Sequence, residues 1–158
     1  MNDIATRPSQ FPWPPLIFVG ATAASILLQL LYEPPWIGQP VSDILFAVGW
    51  LLVLAWAALL ASALRAMKTG KTTVHPTKAA THLVTSGAFA LSRNPIYLGN
   101  TLVLIGIGLI AGMAWFPVMA LVAAFLTQKL AIEPEEQHLA ARFGKKYRDY
   151  AKRVRRWI

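Results

Sequence analysis

Apolar positions along this chain gather into long blocks rather than alternating, and the blocks are too long for buried strands. Residues 16–31 are apolar apart from Thr22, Ser25 and Gln29, and no charge falls between residues 8 and 32. A helix needs about 20 residues to cross the roughly 30 Å hydrocarbon core of a bilayer, so a first span is expected over about 14–32. Pro12, Pro14 and Pro15 precede it, where proline costs a helix least, and Pro34-Pro35 closes it, because the residue before a proline is pushed out of helical geometry. Residues 44–64 are uncharged and predict a second span over about 43–65. Ala57, Ala58, Ala61 and Ser62 form a small-residue stripe within it, suited to close helix contact.

Residues 94–128 hold 35 positions without a charge. One helix of that length would rise about 50 Å, so the chain must fold back. Ala111-Gly112 and Pro117 are the breakers, which gives a third span over about 95–111 and a fourth over about 115–131. Beyond them Leu139, Phe143, Tyr147, Tyr150, Val154 and Trp157 recur at steps of three or four with basic residues between. That period predicts an amphipathic helix over about 134–156, lying in the membrane interface as an anchor, as a cover for a site, or as both.

Composition agrees with a membrane setting. Of the 158 residues, 56% are hydrophobic and 14% charged, against about 25% charged in a soluble domain, and mean hydropathy is +0.48. The absence of cysteine excludes disulfides, thiolate metal sites and cysteine nucleophiles. A net charge of +8 raises the question of nucleic acid. Its distribution points elsewhere, because Arg142, Lys145, Lys146, Arg148, Lys152, Arg153, Arg155 and Arg156 crowd the C-terminal end beyond the last apolar run. Such juxtamembrane clusters meet anionic lipid headgroups. Between the second and third spans stand Arg65, Lys68, Lys71, Lys78 and Arg93 with no acid, whereas the opposite loops carry Glu33 and Asp43 or nothing. The positive-inside rule puts this connector and both termini in the cytosol. No cleavable signal peptide is expected, since the first apolar run lacks a small-residue cleavage site ahead of a polar mature chain. The resulting expectation is an all-α polytopic membrane protein, one domain over 1–158, with four transmembrane helices, a cytosolic connector and a C-terminal amphipathic helix.

Polar residues that carry chemistry cluster at the cytosolic side. Val84-Thr85-Ser86-Gly87 reads as a turn that exposes backbone amides and carbonyls, either as a plain interfacial loop or as a cradle for a polar ligand. Asn94 and Pro95 suit the cap and first turn of the third span. Arg93 beside them is either a lipid-phosphate anchor or a fork for a carboxylate, and Tyr97 is either an interfacial aromatic or a wall of a site. Glu135 and Glu136 follow Pro134, where acids in a first turn also favour the helix dipole. Three histidines without HExxH-type spacing argue against a metal site; His75, before Pro76, reads as a loop residue. Gly106-Ile107-Gly108 inside a span is explained by packing.

Two separated blocks carry a family resemblance over roughly the C-terminal half. Leu83-Val84-Thr85-Ser86-Gly87 and Arg93-Asn94-Pro95-Ile96-Tyr97-Leu98-Gly99 form the first; Glu135-Glu136, Leu139, Phe143-Gly144, Tyr147 and Tyr150 form the second, after one helical hairpin. Together they resemble the cofactor-binding core of the small integral-membrane methyltransferases, the isoprenylcysteine carboxyl methyltransferase and phospholipid methyltransferase family. The resemblance implies transfer of a methyl group from S-adenosylmethionine to a lipophilic acceptor that arrives from the bilayer. It implies cofactor contacts from His82, Leu83, Val84, Gly87, Phe89, Asn94, Pro95, Tyr97 and Glu135, and catalytic roles for Arg93 and Glu136, with proton acceptance from an amine as a second role for one of the two glutamates. The sequence departs from the family pattern at three places. The family usually has histidine where Asn94 stands and tyrosine where Phe89 stands, which removes a titrating group and a hydroxyl. The isoprenylcysteine enzymes have an arginine for the substrate carboxylate where this chain has Ala131, with Lys129 the nearest cation. The alternative to an enzyme is a non-catalytic membrane scaffold or assembly protein that retains the core.

Overall fold

The computed structural model describes residues 12–70 and 82–158. The polar lead and the part of the connector with Lys71, His75 and Lys78 lie outside the described residues. Every regular element among those described is helical. α1 (Trp13–Leu31), α2 (Val41–Thr69), α3 (Pro95–Ala111) and α4 (Trp115–Thr127) occupy the four apolar blocks. α2 runs past the expected end at residue 65, because Arg65 and Lys68 are good helix formers and Gly70 is the C-cap. Gly112 ends α3 in the left-handed conformation at φ 69°, which glycine adopts without steric cost, and so turns the chain into α4.

Among the described residues three helices are long and apolar enough to cross a membrane: Trp13–Leu31, Val41–Thr69 and the continuous Trp115–Phe143. α3 is equally apolar but has 17 residues, about 26 Å of rise.

The C-terminal part departs from the expected single helix over 134–156. α4 does not stop before Pro134. It widens into a π-helical segment, Gln128–Ile132, and continues as α5 (Glu133–Phe143). A proline lacks the N–H of a regular turn and its ring crowds the carbonyl four residues back; the wider π turn directly before Pro134 lets the helix run on. The break comes instead at Gly144, at φ 53° and ψ −122°, a conformation that side chains disfavour. α6 (Lys145–Arg153) follows and ends at Val154, whose backbone is extended; the residues after it are irregular. Leu139 and Phe143 therefore stand on a different helix from Tyr147 and Tyr150, and Trp157 stands on none.

α3 lies between α2 and α4, and α1 packs against α4. Phe18, Ala21, Leu104, Phe116, Ala120 and Ala123 form the buried core. α2 and α3 approach so closely that a Cβ on Gly106 would stand 2.8 Å from the Gly49 carbonyl oxygen. Gly108 faces Phe116 and Pro117 across the hairpin, so the two glycines of Gly106-Ile107-Gly108 serve two different neighbours. Of the expected stripe on α2, Ala57, Ala58 and Ala61 are exposed. Ser62 meets the connector, whose turn lies beside this end of α2. At the other end of the bundle the Trp115 indole donates to the Tyr32 carbonyl at 2.9 Å. Outward side chains of α2 such as Trp50, Leu51 and Leu54 are exposed, as a lipid-facing surface requires.

Candidate active site

The connector, the start of α3, α5 and the chain after α6 converge at one end of the bundle. The 3₁₀ turn Gly87–Ala90 is tied to α2 by the Ala88 amide, which donates to Ser62 Oγ at 2.9 Å. It is tied to α6 by the Tyr150 hydroxyl, which donates to the Phe89 carbonyl at 2.6 Å. Burial pushes the Tyr150 phenol up to about 12, so it stays a donor throughout the physiological range.

Arg93 and Glu136 meet here, although 43 positions separate them in the sequence. Arg93 Nη1 lies 3.1 Å from Glu136 Oε1, with side-chain exposures of 15% and 16%, and donates to the Tyr147 hydroxyl at 3.2 Å. Glu136 is also gripped from the other side. Arg156 donates from Nε to Oε1 at 3.1 Å and from Nη2 to Oε2 at 2.8 Å, the bidentate fork that suits a carboxylate best. Glu136 thus joins two guanidinium groups. Burial, with Glu136 adding to it, raises the Tyr147 phenol, while Arg93 opposes the shift. Glu133 completes the polar cluster: its carboxyl is lowered chiefly by the hydrogen bond from Lys129 at 2.9 Å, and Arg156 Nη1 stands 3.7 Å away.

Two polar groups of this cluster have no hydrogen-bond or ion-pair partner among the described residues. Arg93 Nε is buried and has no hydrogen-bond acceptor. Glu135 makes none of these ion pairs; it lies within electrostatic reach of Tyr97. Its surface is open to solvent, yet surrounding protein desolvates its carboxyl, and the Glu136 charge adds to this, so that it is pushed up to about 7. Glu135 stands beyond the apolar stretch of its helix.

Of the expected residues, Arg93, Asn94, Glu136 and Tyr147 come together directly. Pro95 is buried in the first turn of α3 and Phe89 is half-buried in the connector turn. Asn94 takes the N-cap position of α3, but its side chain makes no cap bond and donates to the Arg156 carbonyl at 3.1 Å. Leu83 and Val84 are half-buried in the connector, and His82 and Gly87 are exposed. A groove of about 440 Å³ runs between α2 and the connector, lined by Ala58, Ser62, Arg65, Thr69, Ser86 and Gly87 among others. It takes in Gly87 but none of Arg93, Glu135 and Glu136. No cluster of metal-ligating side chains occurs among the described residues.

The irregular segment after α6 was missed as part of the site. Arg156, Trp157 and the backbone after α6 read from sequence as a basic, amphipathic helix end. Neither Glu135 nor Glu136 has a lysine or arginine three or four residues away on its own helix, so any cation partner has to come from elsewhere in the fold, but that does not say which of the two finds one.

The chain matches the phospholipid methyltransferase family over residues 44–146, from the start of α2 into α6. That stretch covers most of the protein, and the chain belongs to this family. No curated protein matches it.

Proposed function

We propose that this protein is an S-adenosylmethionine-dependent methyltransferase that acts on a lipophilic acceptor entering from the bilayer. The observation that carries the proposal is the placement, within a phospholipid methyltransferase family member, of an unpaired Glu135 carboxyl and an unsatisfied Arg93 Nε at one end of the bundle. S-adenosylmethionine, when bound, supplies an electrophilic methyl group on a sulfonium. The donor set suits its polar parts: a carboxylate for an ammonium or ribose hydroxyls, a guanidinium N–H for a carboxylate, and connector backbone for an adenine edge. Glu135 and Arg93 would hold the charged groups. His82, Leu83, Val84, Gly87, Phe89, Asn94, Pro95 and Tyr97 would form the surrounding walls.

The residues of the chain then align the acceptor and exclude water, which lowers the barrier mainly through positioning. An acceptor carboxylate needs no base. An amine acceptor must lose a proton, and a carboxyl near neutrality is suited to hold it. Glu136, whose oxygens already accept from two arginines, does not fit that role; Glu135 fits it in place of holding the cofactor, not together with it.

The same reading takes α3 as a fourth, steep crossing between α2 and α4, with both termini and the site cytosolic. α6 then lies at the interface, with Tyr147 and Tyr150 inward and Lys145, Lys146, Arg148, Lys152 and Arg153 outward toward anionic lipid. Calorimetry of the detergent-purified protein with S-adenosylhomocysteine tests the proposal, followed by methylation of a lipid extract with labelled cofactor. Binding with incorporation into lipid is expected; absence of binding to the folded protein refutes it.

A further inference from the structure

The five residues after α6 make more contacts with the candidate site than their place at the chain end requires. The Arg155 carbonyl accepts from the Arg93 amide at 3.0 Å. The Arg156 carbonyl accepts from Ser92 Oγ at 3.2 Å and from Asn94 Nδ2 at 3.1 Å. Ser92, fully buried, also receives the Asn94 amide at 3.1 Å. On the other side the Trp157 indole donates to Gln128 Oε1 at 2.8 Å, at the start of the π segment. Gln128 donates in turn to Glu133 at 3.3 Å. The Arg156 fork closes on Glu136 between these points. The tail therefore joins two segments that the chain order keeps apart: the connector, and the continuous helix that runs from the π segment into α5.

These bonds converge on the orientation of one group. Arg93 is held through its backbone amide by Arg155 and through Nη1 by Glu136 and Tyr147. With Nη1 engaged, the guanidinium cannot rotate freely, and Nε is the buried N–H left to an incoming acceptor. Glu136 can hold Nη1 in that pose only while its own carboxylate is held, and Arg156 holds both of its oxygens. A guanidinium fixed in advance loses less conformational freedom on binding an anionic group.

We propose that residues 154–158 form a strap that assembles the site, and that Arg156 is a positioning residue which acts through Glu136 to set Arg93 for the carboxylate of the cofactor. This rests on the methyltransferase reading above. Arg156 has no part in the chemistry itself. Asn94, where the family usually has histidine, serves the strap through its amide.

The test is a double-mutant cycle on the full-length protein, read by calorimetry with S-adenosylhomocysteine. Arg156→Met and Glu136→Gln should each weaken binding about ten-fold or more, as expected for loss of a charge-assisted contact. The double variant should be no weaker than the poorer single one, because both changes release the same guanidinium. Arg156→Lys, which keeps the charge and loses the fork, should recover only part of the affinity. Trp157→Phe keeps the apolar ring and removes only the bond to Gln128, so it should fold even if Arg156→Met does not; about a three-fold loss is expected. Wild-type affinity in both Arg156→Met and Trp157→Phe, or in both Arg156→Lys and Trp157→Phe if Arg156→Met does not fold, would overturn the strap. Additive losses in the cycle would overturn action through Glu136. Failure of the wild-type protein to bind would instead refute the methyltransferase reading, so the two failures are distinct.

Discussion

Replacing Glu135 with glutamine changes one atom type and little volume, which makes it a clean probe of the unpaired carboxyl. If Glu135 binds an ammonium or ribose hydroxyls, Glu135→Gln loses a charge-assisted hydrogen bond of about 1.5–3 kcal/mol, about ten- to a hundred-fold in affinity for S-adenosylhomocysteine. The pH dependence is a sharper signature. Desolvation by the surrounding protein, with the Glu136 charge added, raises the free carboxyl to about 7. A ligand donating to its oxygens favours the ionised form and lowers that value in the complex, so binding releases a proton. Affinity should fall by up to about ten-fold for each pH unit below about 7, and flatten above it. The Glu135→Gln variant should lack this slope.

Stability moves in the opposite sense. A carboxyl raised in the folded state contributes stability that is complete below its unfolded value of 4.5 and is lost as pH rises through about 7. Glu135→Gln should therefore melt no lower than the wild type at about pH 8, which separates lost binding from lost folding. Calorimetry at several pH values from about 5.5 to about 8, with melting curves on the same samples, makes the measurement. Wild-type affinity independent of pH, or an equal slope in the variant, refutes the assignment of Glu135 to the ligand.

Three further outcomes are expected. A reporter fused after Ile158 should be active on the cytosolic side; an external C-terminus would break both the four-span reading and the proposed placement of the site. Gly106→Ala places a Cβ 2.8 Å from the Gly49 carbonyl oxygen, so it should force α2 and α3 apart and cost about 1–3 kcal/mol, seen as a lower melting temperature in detergent; an unchanged melt would mean the helices are not so close. A farnesylcysteine analogue should be a poor methyl acceptor beside an amine-bearing or neutral lipid. Ala131 is buried and offers no cation, and Lys129 already pairs with Glu133 at 2.9 Å, while an unpaired buried carboxylate is costly. Efficient farnesylcysteine methylation that survives Lys129→Ala would sink this argument.

The helical blocks were legible because membrane crossing imposes a rule on sequence itself. Each span must carry its own backbone hydrogen bonds and present apolar side chains, so α1, α2 and α3 follow from uncharged runs and their prolines and glycines. The blocks around Arg93 and around Glu135-Glu136 were legible as a family pattern, and Pro95 and Gly112 act where local backbone preferences put them. Tertiary structure decided what those preferences leave open. Whether Pro134 starts a helix or is carried through one depends on a π turn five residues long, whose cost is met by packing and not by local propensity. Gly144 was visible, but the period of three and four runs across it, and only the backbone conformation shows that the face is broken. The partition of roles between two adjacent glutamates was beyond the sequence altogether. Glu135 and Glu136 differ by about 100° around the helix. That rotation turns one toward Arg93 and Arg156 and leaves the other open, and which cations stand there is settled by a connector and a tail that meet only in the folded chain.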